Sequence, residues 1–280
     1  MTYWLGRDLP RRGDSTFVLL VDSAFEVNRD WLPLLEDHLL APIAGLENGI
    51  VIMTGRGAPF PWRSVPLRNA HREEVLTPFS PSGVTEQLER SNLNADPERV
   101  AYIVKLGGGY PLNSYVLAQS DPPESGLDRL LNVLLEFVNS DQQLQTREAL
   151  EALCVLDRFR EREISSLLAF YRFCLDRSED AQRATAEEAR RVRDILLDNY
   201  LVRWEDDGYL INDSVRVAYR GYLQYRKPKL FECLLKHAER MYAEWAEKYP
   251  NARAHYGQQA GYVRALHPQR TAADGHRVDT

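Results

Sequence analysis

Cysteine is scarce in this chain: three residues among 280, Cys154, Cys174 and Cys233, lie far apart and each within an apolar helical pattern. That usage points to reduced, buried thiols and so to a cytosolic compartment. Long hydrophobic runs are missing as well. No stretch approaches the roughly 18 uninterrupted apolar residues that span a membrane, and the opening "MTYWLGRDLPRRGDS" lacks the apolar segment of a signal peptide. The six histidines, His38, His71, His237, His255, His267 and His276, show no metal-ligand spacing with cysteine or with one another, which argues against zinc. No GxSxG or Cys–His context marks a nucleophile. Basic charge is not in excess: 35 Lys and Arg face 41 Asp and Glu, for a net charge of −6. Nothing in that balance advertises nucleic acid or an anionic membrane.

What is present reads as about two domains' worth of soluble protein. "STFVLLVDS" is a short apolar run rich in β-branched residues that ends in Asp22, and it predicts a strand buried on both faces. "NRDWLPLLEDHLLAPI" has near-helical spacing, with Asn28 or Asp30 available as its cap. "GIVIMTGR" predicts a second buried strand, and strand, helix, strand is the pattern of a right-handed parallel βαβ unit. "EEVLTPF" is a candidate third strand. From Ser82 the period turns helical. Asp96 and Pro97 sit at cap and first-turn positions, and Thr185 with Glu188 has capping-box spacing. "DPPES", at 121–125, reads as a linker. "YLVRWEDDGYLIND" predicts a β-hairpin in which Asp207 and Gly208 supply the positive φ of a tight turn. Helices followed by a hairpin suggest a winged helix. The expected organisation is a partial α/β core over 1–80, a small helical domain over 81–122, a helical and winged-helix domain over 123–249, and a disordered tail over 250–280.

Three local features carry chemistry. An apolar strand ending in Asp22 is, by itself, more often a turn than a site. Arg56 follows the second strand, at the carboxyl end where open α/β sheets bind ligands, though a surface arginine is the commoner reading. "KLGGGYPLN", at 105–113, sets three glycines and a proline between helices. Such a turn either punctuates the chain or lets backbone approach a flat group such as a base.

Taken in order with "INDSV" after the hairpin, these features resemble the second half of a STAND-type P-loop NTPase, the class of NB-ARC and NACHT-like signalling switches. The resemblance covers about residues 15–248. It implies that Asp22 is the Walker B acid holding Mg²⁺, that Arg56 senses the γ-phosphate, and that Gly109 and Pro111 form the Gly-x-Pro element against adenine. Asn212 and Asp213 match the family's Met-His-Asp motif, with Asn212 in the place of its histidine. Ser23 stands where many relatives carry a second acid, so hydrolysis is expected to be slow or absent, with Glu26 a substitute water-positioning base. The sequence has no GxxxxGK[ST]. ATP or ADP with Mg²⁺ is therefore expected only where a P-loop is supplied upstream or by a partner. The expected partners are a P-loop-bearing half or further copies of the chain, and a fragment or complementing half is the expectation. The alternative is a non-enzymatic winged-helix module for a protein or DNA. The basic run "ARRVR" would carry the DNA reading, but Glu187, Glu188, Asp194 and Asp198 surround it.

Overall fold

In the computed structural model, residues 16–22, 24, 31–55, 61–175, 185–205 and 207–267 are described. The chain divides into two compact units, Met1–Leu76 and Thr77–Thr280.

In the first unit, β1 (Phe17–Val21) and β2 (Gly49–Met53) pair in parallel, Phe17 opposite Gly49 and Val21 opposite Met53. Between them Leu32–Leu35, Glu36–Leu40 and Ala41–Ala44 run on as one helix, α1, whose middle turn is π-wound. Gly49 has no alternative at its position, because a Cβ there would lie 2.3 Å from the Ile43 carbonyl oxygen at the end of α1. Leu19, Val51 and Met53 pack on one side of the sheet against Leu40, Trp62 and Leu67. Glu36 is fully buried, and its Oε1 accepts the backbone N–H groups of Arg63 and Ser64, both at 2.6 Å. Ser64 in turn caps α2 (Val65–Ala70).

The strands are covered on one face only, whereas burial on both was expected. Val18, Leu20, Ile50 and Ile52 are 49, 70, 47 and 48% exposed. The third strand expected around 74–79 does not form: the segment is irregular, with Val75 and Leu76 at 77 and 91% exposure. Pro78, which cannot donate to a ladder, is a local reason. Asn28 and Asp30 lie outside the described residues.

The second unit is helical, built from α3 (Pro81–Arg90), α4 (Pro97–Gly107), α5 (Pro111–Ala118), α6 (Leu127–Leu134), α7 (Gln143–Leu153), α8 (Glu161–Leu175) and α9 (Ala186–Asp198). The antiparallel hairpin of β3 (Val202–Glu205) and β4 (Gly208–Ile211) follows, then α10 (Asp213–Arg226), α11 (Pro228–Lys248) and α12 (Arg253–Ala265). The caps sit where the sequence places them. Asp96 accepts from the N–H groups of Glu98 and Arg99, and Thr185 Oγ1 accepts from that of Glu188. Each satisfies donors that a helix start leaves open. Phe159 exchanges backbone hydrogen bonds with Tyr209, at 3.1 and 2.8 Å, adding a one-residue bridge to the hairpin. In chain order this part of the unit runs α7, the Phe159 bridge, α8, α9 and the hairpin.

The expected fold class, an α/β P-loop core followed by helical and winged-helix domains, is corrected by this architecture. The described residues are 66% helical and contain only two sheets of two strands each, with no clear α/β P-loop core. Only β1 and β2 combine strand chemistry with a parallel neighbour; nearly all later apolar periodicity is 3.6. The stretch read as a linker carries a 3-10 turn, Pro123–Gly126, in which Pro123 and Gly126 are buried. The stretch read as a disordered tail contains a turn, Pro250–Ala252, and α12 packed along α11. Residues 268–280 lie outside the described residues. Gly208 does not have positive φ; it is a strand residue whose Cβ would come 3.2 Å from Arg158 Cβ and 3.3 Å from the Phe159 carbonyl oxygen. Close approach, not turn geometry, favours glycine there.

Candidate functional site

At the carboxyl ends of the parallel strands, Asp22 and Thr54 stand side by side. Thr54 N–H donates to the Val21 carbonyl at 2.9 Å and Ala24 N–H to that of Thr54 at 2.8 Å, continuing the ladder past the strands. The Thr54 hydroxyl donates to Asp22 Oδ1. These two residues, with Leu20, Val21 and Ile52, line a shallow concavity. Glu26 and Arg56, the other residues assigned to this end, lie outside the described residues. Among the described residues, no group of three or more His, Cys, Asp or Glu side chains could hold a metal ion. Asp22 thus offers one carboxylate beside one hydroxyl.

The second unit brings two distant motifs together. Gly107 is the last residue of α4, Gly108 (φ 69°) caps it and Gly109 (φ 75°) follows, so two of the three glycines make a left-handed turn that side chains rarely adopt. Space is also limiting: a Cβ on Gly108 would sit 2.8 Å from Val217 Cγ1 on α10, and one on Gly109 would sit 2.3 Å from the Phe79 carbonyl oxygen. Gly109 accepts a 2.8 Å bond from the Phe79 N–H, and the Pro111 carbonyl accepts one of 2.9 Å from Gln87. Tyr110 is extended and Pro111 opens α5 at its first position. Buried Asn113 then donates through Nδ2 to the Gly107 carbonyl at 3.1 Å and to the Ser214 carbonyl at 2.8 Å. The glycine turn is thereby fastened to the start of α10, about a hundred residues later.

Asn212 and Asp213 lie at that start, and their side chains are engaged. Asn212 N–H donates to the Leu201 carbonyl at 2.9 Å, its Nδ2 donates to that of Tyr200, and its Oδ1 accepts from Arg203 at 3.5 Å. Asp213 accepts from Arg216, whose guanidinium also reaches Asp157 at 3.3 Å. The Tyr110 hydroxyl pKa is raised, first by burial and next by the Asp213 charge, with Arg216 and Arg203 opposing. Gly109, Pro111, Asn212 and Asp213 therefore belong to one neighbourhood, to which the structure adds Tyr110, Asn113, Arg203 and Arg216. Sequence reading missed Asn113; its faint signal is a poor helix former in the first turn of an otherwise apolar helix.

A second cluster lies between α8 and α11. The rings of Phe170 and His237 stack in parallel with centroids 3.9 Å apart, and Ser166 Oγ is 3.2 Å from His237 Nε2. Burial, assisted by the Arg240 charge, lowers the His237 pKa to about 4, so the ring is neutral at physiological pH. An unfolded histidine takes its proton near pH 6.5. The neutral site therefore contributes stability that is fully present above that pH and is lost as pH falls toward 4. The His237 ring is expected to titrate below pH 5 by NMR, and His237→Phe to flatten the stability profile between pH 4 and 6.5; a ring titrating at its ordinary pH would refute this.

No protein-family model matches the chain, and no curated protein matches it. Among the described residues, no helix is long and apolar enough to cross a membrane.

Proposed function

We propose that this chain is the regulatory part of a nucleotide-dependent signalling switch of the STAND kind, with the 107–111 turn and the 212–214 junction as its nucleotide-facing elements. One observation carries the reading: the two segments that the resemblance assigns to the base and to the phosphates of bound ADP, separate in sequence, are joined through Asn113 in space. The left-handed glycine pair and Tyr110 turn the chain so that Pro111 stands exposed at the start of α5, its ring available to a flat base. In this reading Asp22 contributes to a Mg²⁺ shell beside Thr54, Arg56 senses the γ-phosphate, and Glu26 positions water in whatever slow hydrolysis occurs. ADP favours one arrangement and ATP the other, a population shift rather than turnover. The phosphate-binding loop lies outside these 280 residues, upstream or on a partner polypeptide, and the setting is cytoplasmic.

The engaged state of Asn212 adjusts the assignment. Its amide holds the hairpin to α10, so it acts on nucleotide through the junction it supports. DNA binding is the weaker reading, because in the basic run of α9 Arg193 is held by Glu161 and Asp194 and acidic residues flank the run.

Photolabelling with 2-azido-ADP, on this chain supplied with the P-loop-bearing segment that the reading requires, tests the proposal. The expected result is modification confined to the 105–119 peptide and suppressed by excess ADP. Absence of label, or label that excess ADP does not displace, would overturn the base-facing assignment.

A further inference from the structure

Asn113 is 0% exposed, and its two donors are spent on two backbone carbonyls from different elements, Gly107 at the end of α4 and Ser214 in the first turn of α10. Its Oδ1 has no donor, and the neighbouring Ser114 hydroxyl, also 0% exposed, has no partner. Buried polar groups are nearly always satisfied, because an unmet acceptor forgoes water without compensation. On the protein side, then, the hydrogen bonding of Asn113 at the joint between α5 and α10 is one-sided, with both donors met and the acceptor unmet.

The rest of the joint is close-packed and smooth. Gly108 abuts Val217, and Gly221 lies where a Cβ would come 2.7 Å from the Leu106 carbonyl oxygen, so α10 rests on the backbone at the end of α4. Contacts of this kind are tight when closed and interlock little when parted. Among the described residues, the Asn113 amide supplies the side-chain hydrogen bonds that tie the two sides at the glycine turn itself.

We propose that Asn113 is a latch: while its amide spans Gly107 and Ser214, the glycine turn and the first turns of α10 hold one arrangement, and its release lets α10 part from the turn as a unit. Asn113 is thus a positioning residue for the proposed nucleotide face. Its purpose rests on the switch reading, but the joint exists whether or not nucleotide binds.

The test is amide hydrogen exchange on the whole chain without nucleotide, comparing wild type, Asn113→Asp and Leu167→Ala. The aspartate keeps the volume and removes both donors, while Leu167→Ala weakens the distant α8 core. Expected is an increase in exchange on the order of tenfold, shared by 105–112 and 213–222, in Asn113→Asp, with the α8–α11 contact unchanged. Leu167→Ala is expected to lack that paired pattern. Unchanged exchange at 213–222, or a uniform increase across the unit in Asn113→Asp, would overturn the latch. If the paired opening is seen while 2-azido-ADP fails to label the chain, the latch stands and the nucleotide reading falls; labelling without paired opening removes the latch and leaves the nucleotide reading in place.

Discussion

Gly109→Ala is expected to destabilise the second unit by about 2–3 kcal/mol, a sum of two costs. A left-handed residue with a Cβ loses roughly 1–2 kcal/mol relative to glycine, and Gly109 sits at φ 75°. The added methyl would meet the Phe79 carbonyl oxygen at 2.3 Å, a backbone atom that cannot rotate away. The 79–109 strand-like contact must then separate, with loss of the Phe79 N–H to Gly109 hydrogen bond, a further ~1 kcal/mol. Urea unfolding of the variant gives the number. Gly257→Ala is the comparison, because Gly257 lies within α12 and an added methyl carbon there would meet nothing within 4 Å. That substitution is expected to stabilise by about 0.5–1 kcal/mol through helix propensity alone. Equal stability of the two variants would show that the turn is not held as described.

Glu151→Leu is expected to cost about 2–4 kcal/mol, and more than Lys227→Met. Glu151 is 1% exposed in α7 and gathers three donors: Lys227 Nζ at 2.6 Å, the Tyr171 hydroxyl at 2.7 Å and Arg147 Nε at 3.1 Å. The same group binds rings to cations, with Lys227 over Tyr171 and Tyr222 and Arg147 over Tyr222. Burial and then the Glu151 charge raise the Tyr171 pKa, so its hydroxyl stays a donor at all ordinary pH. Removing the single acceptor leaves Lys227 and the Tyr171 hydroxyl without their shared partner and Arg147 with Asp128 alone, the situation in which breaking a buried pair costs most. Removing Lys227, which is 32% exposed, leaves Glu151 with Arg147 and Tyr171. Combining both substitutions should recover part of the Glu151→Leu loss, since the members act as one network. Lys227→Met proving the costlier change would refute this account of the cluster.

Much of the helical unit was legible because its signals are local. Asp96 followed by Pro97, Thr185 three residues before Glu188, and the alternating residues around Asp207 each act within a turn or two of chain. They form the same cap or hairpin whatever lies beyond. The α12 helix was not legible, because Arg253–Ala265 is polar and weakly patterned; it is held by Tyr256 against Tyr242 and Trp245 on α11. That support exists only after folding.

The amino-acid sequence by itself determined where helices begin, that two apolar strands flank a helix in parallel, and that glycines and Pro111 break the chain sharply between α4 and α5. Tertiary structure decided the rest. It left Val18, Leu20, Ile50 and Ile52 uncovered, left "EEVLTPF" without a partner strand, turned Asn212 inward to its own hairpin, and set Asn113 between the glycine turn and α10. The division has a physical reason. Backbone preference and capping are settled by neighbours in sequence, whereas coverage of a sheet face and the partners of a buried amide depend on which distant segment arrives beside them.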